Sequence, residues 1–153
     1  MKVLFLDFDG VLNDTTFIDL TEDLFSAQQI DPRAVALLNE IVRATGAKVV
    51  VTSSWRRVHR DLVLSEILRS RGFEGELLGS TPSFQISPDG IPKVRGDEIQ
   101  AWLDASSEPV ETFAVLDDDA DMVHLEHHLA RTDATRGLQA EQVAAAVRHL
   151  NDA

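Results

Sequence analysis

Three apolar runs of the chain end in oxygen-bearing side chains. The runs are KVLFLDFD at 2–9, AKVVVTSS at 47–54 and TFAVLDDD at 112–119. Continuous rather than alternating apolar residues are typical of strands that are buried on both faces of a sheet. Because ligands of parallel sheets bind beyond the carboxyl ends of the strands, we expect the oxygens after these runs to converge at one edge.

Helical patterns separate the apolar runs. The clearest, DPRAVALLNEIVRATG at 31–46, has Asp31 as N-cap, Pro32 in the first turn and Gly46 as a stop. Further helical patterns cover 55–72, 96–106 and 138–150. Strands that alternate with helices predict an α/β fold. We expect an open doubly wound parallel sheet with helices on both faces, in a single domain over 1–153.

The composition of the chain limits which ligands, metal sites and cellular compartments are compatible with it. The formal net charge of −12 repels a polyanion at long range, so a phosphorylated partner needs a local basic patch or a bound cation. The chain has no cysteine, which excludes disulfides and thiolate metal sites. The first apolar run is too short for a signal peptide, and no later run reaches membrane-spanning length. These features predict a cytoplasmic protein with no membrane contact.

A calcium loop is the first alternative for such acid-rich stretches. Counted from Asp7, the glycine position of that loop holds Leu12 and its twelfth position holds Ile18, and a count from Asp117 fails in the same way. The HLEHH stretch at 124–128 has histidines at helical spacing, but its order is not H-E-x-x-H. A solvated helix face is the preferred interpretation there.

Four segments of the chain carry a resemblance to a known family. FLDFDGVLN at 5–13, VVVTSSW at 49–55, PKVRGDEIQAWL at 92–103 and AVLDDDAD at 114–121 look like the four motifs of the haloacid dehalogenase (HAD) superfamily of aspartate-dependent phosphohydrolases. The combination of SSWR, EIQAWL and LDDDADM is similar to a subgroup associated with RNA repair proteins. The order of the motifs makes the resemblance specific.

The resemblance implies two catalytic aspartates. Asp7 would be the nucleophile that forms an aspartyl-phosphate, and Asp9 would donate a proton to the leaving alcohol and later accept one from water. Thr52 or Ser53, at the end of the second run, would donate a hydrogen bond to a phosphoryl oxygen. Dehalogenation is disfavoured, because dehalogenases of the superfamily lack the second aspartate.

The third motif contains two positively charged side chains. Either Lys93 or Arg95 would pair with the charge of the phosphoryl group, and the sequence leaves the choice open.

Magnesium is the expected metal. Carboxylates are the ligands of hard cations, and the resemblance implies binding by Asp7, the backbone carbonyl of Asp9 and acids of the fourth motif. We favour Asp117 and Asp118 over Asp119 and Asp121, since the four acids of the run cannot all bind one ion that keeps several waters. The others would orient ligands or cap the following helix.

Trp55 and Arg56 directly follow the second motif. They could bind substrate, with the ring stacked on a base and the guanidinium on a phosphate, or they could be a core anchor and a surface charge. Arg57, His59 and Arg60 extend this basic stretch.

The segments that could form a cap over the site are short. They cover 14–30 and 72–91, and neither is long enough for a domain with its own core. An open site favours a bulky substrate such as a phosphorylated polynucleotide end. The alternatives are a small-metabolite or nucleotide phosphatase and a catalytically weak regulatory module that binds a phosphorylated ligand.

Overall fold

The computed structural model describes residues 1–84 and 94–152 and contains a five-stranded sheet with all neighbouring strands parallel. The strand order is β3-β2-β1-β4-β5. The strands are β1 (Lys2–Leu6), β2 (Lys48–Val51), β3 (Leu77–Ser80), β4 (Thr112–Asp117) and β5 (Leu129–Arg131). The predicted open parallel sheet is confirmed.

The helices cover both faces of the sheet. They are α1 (Pro32–Thr45), α2 (Asp61–Ser70), α3 (Arg95–Ala105) and α4 (Ala140–Asn151). Alternate residues of the central strand enter different cores: Leu4 and Leu6 pack with α1, α2 and α4, while Val3 and Phe5 pack with α3. Because both faces of β1 are covered, every one of its core positions is apolar, which explains the continuous run in the sequence.

The first helix begins and ends where the sequence predicts. The carboxylate of Asp31 accepts a hydrogen bond from the Arg33 backbone N–H, and Gly46 ends the helix in the left-handed region at φ 72°. These contacts satisfy backbone groups that a helix end leaves open.

The single helix predicted over 55–72 is wrong in its first part. The chain forms a short 3-10 helix at Ser54–Arg57 and begins α2 only at Asp61. The backbone of Arg60 is extended, and the side chains of Trp55 and Arg56 turn inward, so the 3-10 turn stops instead of continuing into α2.

Two short strands were not predicted. Leu77–Ser80 lies inside the segment considered as a possible cap, yet it pairs with β2 as β3, and Leu129–Arg131 pairs with β4 as β5. Two further 3-10 helices, Ala27–Gln29 and Val123–His128, complete the elements that the structure describes. Within the described ranges, no helix combines the length and the apolar character needed to cross a membrane.

Candidate active site

Three carboxylates meet at the carboxyl edge of the sheet. Asp7 follows β1, Asp117 ends β4 and Asp118 comes next; one oxygen from each lies within 4.8 Å of the others. The pairing of β1 with β4 sets this proximity, since the Asp7 N–H donates to the Leu116 carbonyl at 3.0 Å. These hard oxygen donors could hold a divalent cation.

The loop after β1 approaches Asp118 closely at Gly10. Gly10 has φ 82°, and a Cβ there would lie 2.4 Å from Asp118 Oδ2. The Gly10 N–H donates to Asn13 Oδ1 at 2.9 Å, and Thr132 Oγ1 donates to the Gly10 carbonyl at 2.7 Å. A residue without a side chain is therefore required where the first and fourth motifs meet.

Asp9 occupies a different side of the same edge. Its carboxylate accepts from Trp55 Nε1 at 3.2 Å and from Asn13 Nδ2 at 3.0 Å. The Asp9 side chain is not part of the three-carboxylate cluster. The loop thus separates the two aspartates of the first motif and fixes the orientation of the second.

Arg95 brings a positive charge into the cluster. As the first residue of α3, it places Nη1 3.0 Å from Asp117 Oδ2 and 3.4 Å from Asp7 Oδ1. The same nitrogen donates to Thr52 Oγ1 at 3.3 Å. Arg95 therefore lies between the carboxylates and the end of β2. Lys93, the other candidate cation, lies outside the described residues.

The start of α3 is held in place by the loop after β4. Asp121 Oδ2 accepts from the Arg95 N–H at 3.3 Å, and the Asp121 carbonyl accepts from the Gly96 N–H at 3.0 Å. A Cβ on Gly96 would lie 2.2 Å from the Met122 carbonyl oxygen, so only glycine allows this approach. The fourth motif thus positions the third.

Thr52 and Ser53 are both buried but have different partners. Thr52 Oγ1 contacts Arg95, as described above, whereas Ser53 Oγ accepts from the Trp55 N–H at 3.2 Å and caps the 3-10 turn. This geometry favours Thr52 as the hydroxyl that faces the site.

The structure argues against the substrate contacts predicted for Trp55 and Arg56. Trp55 is fully buried and packs edge-to-face on Phe8 and Phe25, with ring centroids 5.1 and 5.8 Å away, so it is a core anchor without a free face for a base. The Arg56 side chain is only 3% exposed and pairs with Glu98 at 2.8 Å. Its guanidinium also donates to the backbone carbonyls of Thr52, Ser53 and Thr81.

Glu98 is a residue of this region that the sequence analysis missed. Its buried carboxylate accepts from Arg56 and from the Phe84 N–H, and it lies 3.7 Å from Arg95 Nε. The spacing of three residues from Arg95 on a predicted helix was a usable signal, because such residues share a helix face. Glu98 links the cation of the site to the arginine that holds the loop after β2.

Burial changes the acidity of two clustered carboxylates. Desolvation, opposed by the charge of Arg95 and reinforced by Asp118, raises the pKa of Asp7 to about 6. Desolvation and the nearby Asp7 charge raise the pKa of Asp117 to about 8, again opposed by Arg95. Both groups therefore resist ionisation until a further positive charge enters the cluster.

The chain was compared with known protein families and with curated proteins. Over residues 3–143 it matches the family described as the HAD domain in Swiss Army Knife RNA repair proteins. The chain belongs to this family. No curated protein matches it. Membership in the HAD domain family supports a hydrolase of the phosphatase type in general terms, and the matched range includes the carboxylate cluster and Arg95.

In metal-free solution, we expect the stability of this HAD domain to fall as the pH rises. The fold raises the pKa values of Asp7 and Asp117 above 3.8, the ordinary value of an aspartate, so between that pH and about 8 the folded state binds more protons than the unfolded state. Asp117→Asn removes one of these groups and should melt above the wild type, with a difference that grows from pH 5 to pH 8. Thermal unfolding in chelator measures it, and a difference independent of pH would contradict the assignment.

Proposed function

We propose that the protein is a magnesium-dependent phosphomonoester hydrolase that acts through an aspartyl-phosphate. The observation that carries this proposal is the meeting of three carboxylates with Arg95 at the carboxyl edge of the sheet. Asp7 and Asp9 have separate surroundings there, as a nucleophile and a proton carrier require.

The carboxylate cluster fits magnesium chemically. Mg²⁺ prefers oxygen ligands and is usually held by one or two carboxylates. We propose Asp7, the backbone carbonyl of Asp9, and Asp117 and Asp118 as the groups that hold it, with one of the two fourth-motif acids orienting the ligands instead of binding directly. When bound, the ion would offset the negative charge of the phosphoryl group and of the buried carboxylates.

The reaction divides between the two aspartates of the first motif. The Asp7 carboxylate attacks phosphorus, and its new O–P bond forms as the bond to the leaving oxygen breaks, while Asp9 gives a proton to that oxygen. Water then attacks the phosphorus of the aspartyl-phosphate, and Asp9 takes a proton from that water. The O–P bond to Asp7 breaks, which releases phosphate and regenerates the Asp7 carboxylate. The hydrogen bonds from Trp55 and Asn13 keep the Asp9 carboxyl in one orientation for both steps.

Thr52 and Arg95 would bind the phosphoryl oxygens. Both side chains already meet at 3.3 Å, next to the carboxylate of Asp7. In the proposed complex Arg95 would exchange part of its pairing with the carboxylates for a phosphoryl oxygen, and a charge-assisted bond of this kind is stronger than a neutral one.

For the substrate we propose a phosphorylated polynucleotide end. The family description refers to RNA repair proteins, and three exposed arginines flank the loops of the site. Arg57 and Arg60 follow β2, and Arg131 donates to the Asp118 carbonyl at 3.0 Å. Such side chains can contact backbone phosphates beyond the scissile one.

Magnesium should stabilise the protein and be required for turnover. At a concentration a hundred times its dissociation constant it contributes about 2.7 kcal/mol, or a rise in melting temperature of about 5–10 °C for a domain of this size. The double change Asp117→Asn and Asp118→Asn should abolish the rise, and Asp104→Asn on α3 should keep it. Full turnover in excess chelator would contradict the mechanism.

The two aspartates of the first motif should differ on substitution. Asp7→Asn should abolish turnover on every phosphomonoester, since an amide is a poor nucleophile. Asp9→Asn should lower turnover of alkyl phosphates by about 10²–10⁴-fold and of aryl phosphates by less, because a nitrophenol leaves without protonation.

The covalent intermediate provides a second readout. Asp9→Asn should accumulate a phosphorylated protein visible by intact-mass measurement after a rapid quench. An adduct on a residue other than Asp7 would show that the roles are misassigned.

Catalytic efficiency should depend on the chain length of the substrate, because the exposed arginines can contact further phosphates. We expect a higher kcat/KM for a phosphorylated oligonucleotide than for the matching mononucleotide. If Arg57 and Arg60 each contact one phosphate, a fourfold rise in salt should reduce oligonucleotide affinity about sevenfold. Changing both arginines to glutamine should make kcat/KM equal for the oligonucleotide and the mononucleotide. Arg148→Gln on α4 should leave the higher kcat/KM for the oligonucleotide unchanged. A mononucleotide preferred at every salt concentration would favour a metabolite phosphatase.

A further inference from the structure

Residues 14–30, here called the ledge, form a series of turns followed by the 3-10 helix Ala27–Gln29 beside the site. Asp14 Oδ1 accepts from the Thr16 and Phe17 N–H groups at 2.9 and 2.8 Å. The carboxylates of Asp19 and Asp23 make the same kind of contact with the second residue after each of them. Such side-chain contacts build turns without a helix or strand.

The ledge is fastened to the loops of the active site. The Asn13 side-chain amide, which also donates to Asp9, donates to the Gln29 carbonyl at 3.0 Å. Within the ledge, the buried Gln29 side chain bonds both backbone groups of Asp19, at 3.0 and 2.8 Å. Phe25 packs on Trp55, and His59 Nε2 donates to the Phe25 carbonyl at 2.7 Å. Because Trp55 also donates to the Asp9 carboxylate, these contacts fix the position of the ledge relative to Asp9.

A cavity of about 220 Å³ lies between the ledge and Asp9. It is lined by Asp9, Ile18, Leu20, Leu24 and Gln29. Leu20 is 82% exposed and Leu24 is 46% exposed, although hydrogen-bonded turns at Asp19 and Asp23 hold the backbone around them. Sites that enclose a drug-sized ligand measure roughly 300–1,000 Å³, so this cavity suits one apolar group of a larger molecule.

We propose that this cavity binds an aromatic ring on the leaving group of the substrate. The inference rests on the proposed function, in which Asp9 protonates the leaving oxygen. Because Asp9 itself lines the cavity, a group bonded to that oxygen would lie next to it. At a polynucleotide end, the ring would be the terminal nucleobase.

The charge of the ledge supports an uncharged occupant. Residues 14–30 contain Asp14, Asp19, Glu22 and Asp23 but no lysine or arginine. A phosphate-bearing group would be repelled along this side, whereas a ring can bury the leucine side chains. Among the residues that the structure describes, only three apolar ones line the cavity, which is far less surface than the roughly 800 Å² per partner that a stable protein–protein interface buries. A substrate group is therefore the occupant that fits.

Binding of two phosphonates tests the proposal without turnover. Benzylphosphonate and methylphosphonate present the same anionic group, resist hydrolysis and differ by a ring at the position of the leaving group. With magnesium present, calorimetry should find benzylphosphonate bound about tenfold more tightly, which corresponds to burial of part of the ring. The double change Leu20→Ser and Leu24→Ser should remove the preference. Leu62→Ser is the matched control, since Leu62 on α2 is 72% exposed and does not line the cavity.

The outcomes separate this inference from the proposed function. Equal affinity for the two phosphonates, or a preference that survives the double change, would overturn the ring site while the phosphate site stands. A preference that Leu62→Ser also removes would overturn it as well. If neither phosphonate binds, the proposed phosphate site fails and the ring site fails with it.

Discussion

Mutual repulsion among buried carboxylates is the constraint on which this edge of the structure depends. Asp7 and Asp117 are desolvated and lie close to Asp118, so the fold must supply a cation. Arg95 supplies it, and its place is fixed by the backbone and side chain of Asp121 at the start of α3. The fourth motif therefore contributes two of the acids and also holds the helix that places Arg95 beside them.

A second ionic contact continues this network into the loop after β2. Glu98 lies between Arg95 and Arg56, and both Glu98 and the Arg56 side chain are buried. Removing one partner from such a pair leaves an uncompensated buried charge, which costs far more than the pair contributes when intact. Since Arg56 also holds the carbonyls of Thr52 and Ser53, the position of the predicted phosphate-binding hydroxyl depends on a carboxylate that does not itself face the cluster.

The sequence predicted the sheet and the convergence of acids because both follow from local patterns. Apolar runs ending in Asp7 and Asp117 identify central strands, whereas β3 (LLGS) and β5 (LAR) each contain only two consecutive apolar residues and escape such a pattern. The inward positions of Trp55 and Arg56 depend on partners far along the chain, Phe25 and Glu98. No local pattern specifies those contacts, so residue type alone suggested a substrate surface where the fold has a core.

The acidic residues that give the net charge of −12 have different physical roles. Asp14 and Asp23 form turns in the ledge, while Asp7 belongs to the buried cluster. A single total therefore does not predict which surface a polyanion avoids. The acids of the ledge disfavour phosphates on its side of Asp9, and the exposed Arg57 and Arg60 follow the end of β2. For the substrate proposed above, phosphates beyond the scissile one would be repelled by the acids of the ledge and attracted by Arg57 and Arg60.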